Sequence, residues 1–132
     1  MTAQGGDVLA WLETAITRRE FAARSASPGP WVPGGIGDYG WTVHTGVRSV
    51  ETEDSEIGQA DAKHIALNSP SSVLRRCAAD RKLLGLHAGR MHSCPATDET
   101  GYLDEWTQFS HSEVCPVVEH LAEGYGWTGG DR

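Results

Sequence analysis

The C-terminal part of this chain is organised by the segment HAGRMHSCP at residues 87–95, and the segment HSEVCP follows at residues 111–116. With one further histidine, these segments hold most of the chain's histidines and cysteines. The residues are His87, His92, Cys94, His111, Cys115 and His120. The connecting loops are too polar to form a core of their own. Imidazoles and thiols concentrated in such loops are typical of a small metal site.

Zinc is the metal that this donor set favours, because zinc binds four nitrogen or sulfur ligands in a tetrahedron. We expect His87 to end a helix, Cys94 to lie in the following loop and Cys115 to occupy the N-cap of the last helix. A helix N-terminus favours the thiolate, which is the ligand form. The fourth ligand is His92 or His111. With His92 as the fourth ligand, the set is His87, His92, Cys94 and Cys115.

Other interpretations of the same residues stay open. His120 lies a turn into the last helix and is a less suitable ligand. The site residues can also be isolated surface histidines and unligated thiols. A catalytic zinc would leave one position to water and need a general base such as Glu113 or Asp98. Cys115 with a neighbouring histidine would form a nucleophilic pair. A closed structural site is favoured, because nothing in the sequence fixes the geometry of a base.

Sequence patterns typical of helix starts and ends predict three helices. Apolar residues at helical spacing predict a first helix over residues 7–25, which Pro28 prevents from continuing. A serine N-cap followed by proline predicts a second helix over residues 69–87. A last helix begins at Pro116, and Gly124 and Gly126 end it.

Strand signals lie between the first two predicted helices. Residues 28–40 are rich in glycine and proline and predict loop or tight turns. Residues 41–45 alternate, residues 47–51 are β-prone, and residues 63–67 form a short apolar run, which together predict three short strands. The acidic stretch at 51–61 predicts a solvated loop or, alternatively, a site for a divalent cation or a basic partner. The predicted fold is α+β: a small antiparallel sheet of about three strands packed by two helices. A C-terminal loop and helix follow, which a zinc ion can cross-link.

Two arginines, Arg19 and Arg81, interrupt the apolar stripes of the first two helices. In one interpretation their stems pack on apolar surface while the guanidiniums reach solvent or a carboxylate. In the other they form an anion pocket, in which Trp31 stacks on a nucleotide-like ligand. An exposed Trp31 or Trp106 would instead mark a surface for a protein partner.

Composition restricts the class of protein. The 132 residues suit one domain, which we expect over residues 1–132 with flexible tails at 1–6 and 128–132. A net charge of −7 disfavours nucleic-acid binding. The sequence lacks a long apolar run and a signal-peptide pattern, and its three cysteines cannot all pair. We therefore expect reduced thiols, no membrane association and a cytoplasmic location.

Several short motifs resemble a known family. They are the Pro-Gly-Pro-Trp turn at 28–31, His-Ile-Ala at 64–66, Ser-Pro at 69–70, His87, and Cys-Pro at 115–116. In this order they resemble a family of small actinobacterial and actinophage proteins of unknown function. The first half is also similar to the Ead/Ea22-like accessory proteins of temperate phages.

The resemblance implies a metal site, since family members place histidine and cysteines where this chain has His87, Cys94 and Cys115. Many members carry a Cys-x-x-Cys pair in the loop, and His92 takes the place of the missing cysteine. The resemblance implies no reaction, and a shared fold could not supply one.

Three functions are compatible with these features. The first is a non-enzymatic phage or prophage accessory protein that binds a host protein and carries a structural zinc. The second is a protein that binds a small anionic or nucleotide-like ligand through Arg19 and Arg81. The third is a metal-dependent hydrolase.

Overall fold

The computed structural model describes residues 5–97, 103–110 and 113–129. Within these residues the chain forms an α+β fold with a three-stranded and a two-stranded antiparallel sheet, which confirms the predicted fold class. The elements are α1 (Gly5–Ser25), β1 (Val32–Ile36), β2 (Trp41–His44), β3 (Ser49–Glu51), α2 (Glu56–Leu67), α3 (Pro70–His87), β4 (His92–Thr97), β5 (Leu103–Phe109) and α4 (Pro116–Gly124).

The chain divides into two compact units. One comprises residues 1–17 and 78–132, and the other comprises residues 18–77. The first contains the β4–β5 hairpin, and the second contains the three-stranded sheet. The single domain expected from the length stays a prediction, as do the flexible tails, which lie partly outside the described residues.

The three-stranded sheet is built around β2, with the strand order β1-β2-β3. Val32 pairs with His44, and Val43, which is fully buried, pairs with Val50. The segment of β1 was expected to be loop, and that prediction is wrong. A strand at the edge of a sheet tolerates Pro33, and an irregular register after this proline accommodates the two glycines.

The strand predicted over residues 63–67 is wrong, because that segment lies in α2, which packs against β1 and β2. The Ser55 hydroxyl accepts the Gly58 amide at 2.9 Å and caps this helix. Part of the acidic stretch expected to be loop thus forms the start of a helix. A short apolar run does not by itself distinguish a strand from a helix.

The N-terminus of α2 lies directly against the preceding backbone. Gly58 is buried, and a Cβ atom at this position would collide with the carbonyl oxygen of Glu53. The Thr52 hydroxyl donates to the Gly58 carbonyl at 2.6 Å. Glycine is therefore required here by the close approach of two backbone segments.

The three predicted helices are present as α1, α3 and α4. Leu12 and Ile16 in α1 are fully buried. The Ser69 hydroxyl accepts the Ser72 amide at 3.3 Å at the start of α3, and Cys115 is the N-cap residue of α4. In the described part of the chain, no helix has the length and apolar character needed to cross a membrane.

The β4–β5 hairpin lies in the segment expected to be loop. His92 pairs with Phe109 and Cys94 pairs with Thr107, and β4 also contacts α4. The two strands are mostly polar, so they lack the apolar alternation that predicts strands. Their pairing brings β4 to the start of α4.

We predict that Gly58→Ala destabilises the protein by about 1 to 3 kcal/mol, because the added methyl group must displace the Glu53 backbone. Gly85→Ala in α3 is the matched control, since no atom lies within 4 Å of its Cβ position. Alanine there should stabilise the helix by up to about 1 kcal/mol. Urea denaturation followed by circular dichroism measures both effects, and equal stabilities of the two variants would contradict the close approach.

Candidate metal centre

Four of the predicted ligands come together at one point of the structure. Their donor atoms all lie within 4.8 Å of one another. His87 ends α3 and Cys115 precedes α4, while the other two ligands lie in β4. The group is His87, His92, Cys94 and Cys115.

The two sulfur atoms lie close to the same imidazole nitrogen. The Nδ1 atom of His87 is 3.1 Å from the Sγ atom of Cys94 and 3.7 Å from the Sγ atom of Cys115. Both cysteines are almost completely buried, and the two histidines are half-buried. No disulfide joins the two cysteines. The sulfur atoms are therefore adjacent and shielded from solvent.

The strand geometry of β4 positions the other imidazole. His92 and Cys94 are two residues apart, so their side chains lie on the same face of the strand. The His92 ring stacks on Phe109, its cross-strand partner, with ring centroids 5.9 Å apart. It meets the His87 ring edge-on at 5.0 Å. The hairpin thus holds His92 between an aromatic ring and the second histidine.

The hydrogen bonding of His92 defines its tautomer. Its Nδ1 atom lies 3.0 Å from the carbonyl oxygen of Arg90, which can only accept, so Nδ1 carries the hydrogen. The Nε2 atom is buried and has no hydrogen-bond partner among the residues that the structure describes. A buried polar atom without a partner is unusual in a native protein. Metal-binding histidines commonly donate their other ring N–H to a backbone carbonyl, as His92 does.

The electrostatic environment favours the uncharged forms of two site residues, Cys94 and His87. Burial raises the pKa of the Cys94 thiol, and the neighbouring Cys115 raises it further. Burial also lowers the pKa of His87, and the nearby His92 adds to this effect. A bound cation would reverse the balance for the thiols, because it stabilises the thiolate.

Two residues weighed as alternatives in the sequence lie away from this group. The Glu113 carboxylate is exposed and accepts the Ser110 amide at 2.8 Å, a hydrogen bond that lowers the pKa of Glu113. His120 is exposed and lies 2.8 Å from the Glu123 carboxylate. Neither belongs to the donor group.

Three further residues cannot be compared with their predictions. His111 and Asp98 lie outside the described residues, and so does the side chain of Trp106. His92 is therefore assigned to the donor group from its own contacts and not by comparison with His111.

Arg81 and Trp31, two of the residues predicted to form an anion pocket, make hydrogen bonds within the protein. Arg19 and Arg81 are both exposed. Arg81 donates to the Thr17 hydroxyl at 3.0 Å, and the Trp31 indole donates to the Ser27 carbonyl at 2.8 Å. Anion binding by these residues stays a prediction.

Two contributors to the site were missed by sequence reasoning. They are the Arg90 carbonyl, which orients His92, and the Phe109 ring, which stacks on it. A backbone carbonyl leaves no signal in a sequence. Phe109 could have been found only by recognising that its strand pairs with the His92 strand.

Comparison with known proteins identifies one similarity. A family model described as a family of unknown function, DUF6221, matches residues 5–126. This match confirms the expected similarity to a domain of unknown function. No curated protein and no solved structure matches the chain.

We predict that Glu123→Gln lowers the pKa of His120 toward its ordinary value. The hydrogen bond to the Glu123 carboxylate is the main cause that raises this pKa, and the charge of Glu119 adds least. Glu119→Gln is therefore the matched control and should have a smaller effect. NMR titration of the histidine ring protons measures both variants. An unchanged His120 pKa in Glu123→Gln would contradict the hydrogen bond.

Proposed function

Because the chain belongs to DUF6221, a family whose description names no reaction, we propose a function from the site itself. The protein is a non-enzymatic binding protein whose C-terminal part is cross-linked by a structural zinc ion. The ligands of the ion are His87, His92, Cys94 and Cys115. The protein acts by binding a protein partner.

The convergence of the four donor atoms within 4.8 Å is the observation that carries this proposal. In a tetrahedral zinc site the ligand atoms lie about 2.0 to 2.3 Å from the ion and therefore about 3.3 to 3.8 Å from each other. The two sulfur–nitrogen distances, 3.1 and 3.7 Å, are close to this range. Small side-chain movements are enough to complete the tetrahedron.

The chemistry of the donors favours zinc over other common metals. Two thiolates and two imidazoles form a soft, nitrogen- and sulfur-rich set, whereas magnesium and calcium prefer oxygen ligands. The donor group contains no carboxylate among the described residues. The unpartnered Nε2 atom of His92 would gain its missing partner from the ion.

A structural role is favoured over hydrolysis. Four protein ligands fill a tetrahedral zinc and leave no position for a water molecule, which a catalytic zinc needs. Glu113, which was considered as a general base, instead accepts a backbone amide outside the donor group. The ion would join the end of α3, the strand β4 and the start of α4.

An exposed apolar surface supports the binding of a protein partner. The Gly29 amide donates to the Thr45 carbonyl at 3.1 Å, which brings the segment of Trp31 beside the turn that carries Val47. Val47 is 85% exposed, and Val32, which follows Trp31, is 49% exposed. Exposed apolar side chains that lie together mark partner surfaces. The resemblance to phage accessory proteins supports a host protein as the partner.

Metal content is the first measurement that tests the zinc site. We expect one zinc ion per chain in the untagged protein by elemental mass spectrometry. Cobalt substitution should give the intense visible absorption of a tetrahedral site with thiolate ligands. A protein without bound metal, or an octahedral cobalt spectrum, would contradict the proposal.

We predict that Cys94→Ala and Cys115→Ala each abolish zinc binding and lower the melting temperature by more than about 10 °C, because binding of a structural zinc contributes to folding. Cys77→Ala is the matched control, since Cys77 is 1% exposed and lies outside the donor group. It should keep one zinc ion per chain. Equal loss of zinc in all three variants would indicate a general effect on folding.

We predict that Val47→Asp abolishes capture of a protein partner from host lysate while zinc content and melting temperature stay unchanged. The side chain is exposed, so the substitution disturbs no packing. Thr14→Asp, at an exposed position of α1, is the control with the same added charge. A partner that both variants retain equally would argue against this surface.

A further inference from the structure

We propose that Cys94 and Cys115 form a redox-sensitive pair, which peroxide converts from zinc ligands into a disulfide with release of the ion. The proposal rests on the zinc site proposed above. It adds regulation to that site, because the cross-link between β4 and α4 changes from a metal to a covalent bond.

The geometry places two sulfur atoms within reach of each other. Both belong to the group whose donor atoms lie within 4.8 Å, and both are close to Nδ1 of His87. A disulfide requires a sulfur–sulfur distance of about 2.05 Å. Rotation of the two cysteine side chains has to close a gap of only a few ångströms. The two backbones are already held together, since β4 contacts α4.

The ion and the disulfide are alternative ways to join the same elements. In the zinc form, the cross-link includes both imidazoles. In the disulfide form, Cys94 and Cys115 still connect β4 to the start of α4, while His87 and His92 lose their metal. A disulfide that closes a loop of about 20 residues stabilises a protein by roughly 3 kcal/mol, which is less than the binding energy of a structural zinc. Oxidation therefore loosens the end of α3 without separating the hairpin from α4.

The reaction is balanced with peroxide as the oxidant. One cysteine sulfur attacks the O–O bond of hydrogen peroxide and forms a sulfenic acid, with one oxygen leaving as water. The second sulfur attacks the sulfenic sulfur, forms the S–S bond and releases the other oxygen as water. In sum, the zinc-bound thiolate pair, one hydrogen peroxide and two protons give the disulfide, a zinc ion and two water molecules.

Burial selects the reagent that can reach the pair. Cys94 is 2% exposed and Cys115 is 0% exposed, while the two histidines are half-buried. Burial of both cysteines favours a small oxidant such as hydrogen peroxide over bulky thiol reagents. Cys77 is equally buried but lies outside the donor group, so it is not the partner in this disulfide.

The test uses the zinc-loaded Cys77→Ala protein treated with one equivalent of hydrogen peroxide. A chromogenic chelator measures released zinc, and mass spectrometry measures the loss of two hydrogens from the intact chain. Digestion after glutamate residues separates Cys94 from Cys115, because Glu99, Glu105 and Glu113 lie between them. We expect one zinc ion released per disulfide and a linked peptide that contains both cysteines. Dithiothreitol with added zinc should restore the starting spectrum.

Two results would overturn the proposal. One is zinc release with sulfinic acids or intermolecular disulfides instead of the linked peptide. The other is retention of zinc and both thiols under peroxide concentrations that oxidise the same protein after denaturation. A chain that never binds zinc would refute the proposed function separately, and peroxide treatment of that metal-free chain would still show whether the two sulfurs pair.

Discussion

The C-terminal part of this protein brings two buried cysteines and two half-buried histidines together, with their donor atoms within 4.8 Å of one another. Burial favours the protonated thiol at Cys94 and the neutral ring at His87. The Nε2 atom of His92 is buried without a partner, and such an atom costs about 1 to 3 kcal/mol when its hydrogen bond is left unmade. A cation shared by the four donors would give this nitrogen a partner and would stabilise the thiolate form that burial disfavours at Cys94. The strands of the hairpin are mostly polar, so apolar packing contributes little to its stability.

The unit formed by residues 18–77 is organised by a different constraint. Backbone segments approach each other closely, so that a side chain at Gly40 would collide with the Thr52 carbonyl and one at Gly58 with the Glu53 carbonyl. The Thr52 hydroxyl donates to the Gly58 carbonyl at 2.6 Å, and the Thr52 amide donates to the Trp41 carbonyl at 2.8 Å. Hydrogen bonds and close backbone packing therefore hold α2 against the sheet.

Local chemistry explains which parts of the fold could be predicted. The starts of α3 and α4 carry their own signals, a serine cap in one case and a proline after Cys115 in the other. The strands were harder, because β1 contains a proline and two glycines and because residues 63–67 suit a helix as well as a strand. The helix forms there because the Ser55 cap and the packing of α2 on β1 and β2 stabilise it. Packing of this kind cannot be read from a short apolar run.

The sequence by itself determined the starts of α3 and α4 and the chemical types of the candidate metal ligands, because helix caps and donor atoms are properties of single residues and their neighbours. The sequence left His92 and His111 as alternatives, and only the tertiary structure decided that His92 joins His87, Cys94 and Cys115. The exposure of Arg19 and Arg81 was likewise decided by the tertiary structure. The role of His92 depends on the pairing of β4 with β5, which places Phe109 beside its ring. The donors come from three elements that are separated along the chain. Their distances therefore depend on non-local packing, which residue spacing does not specify.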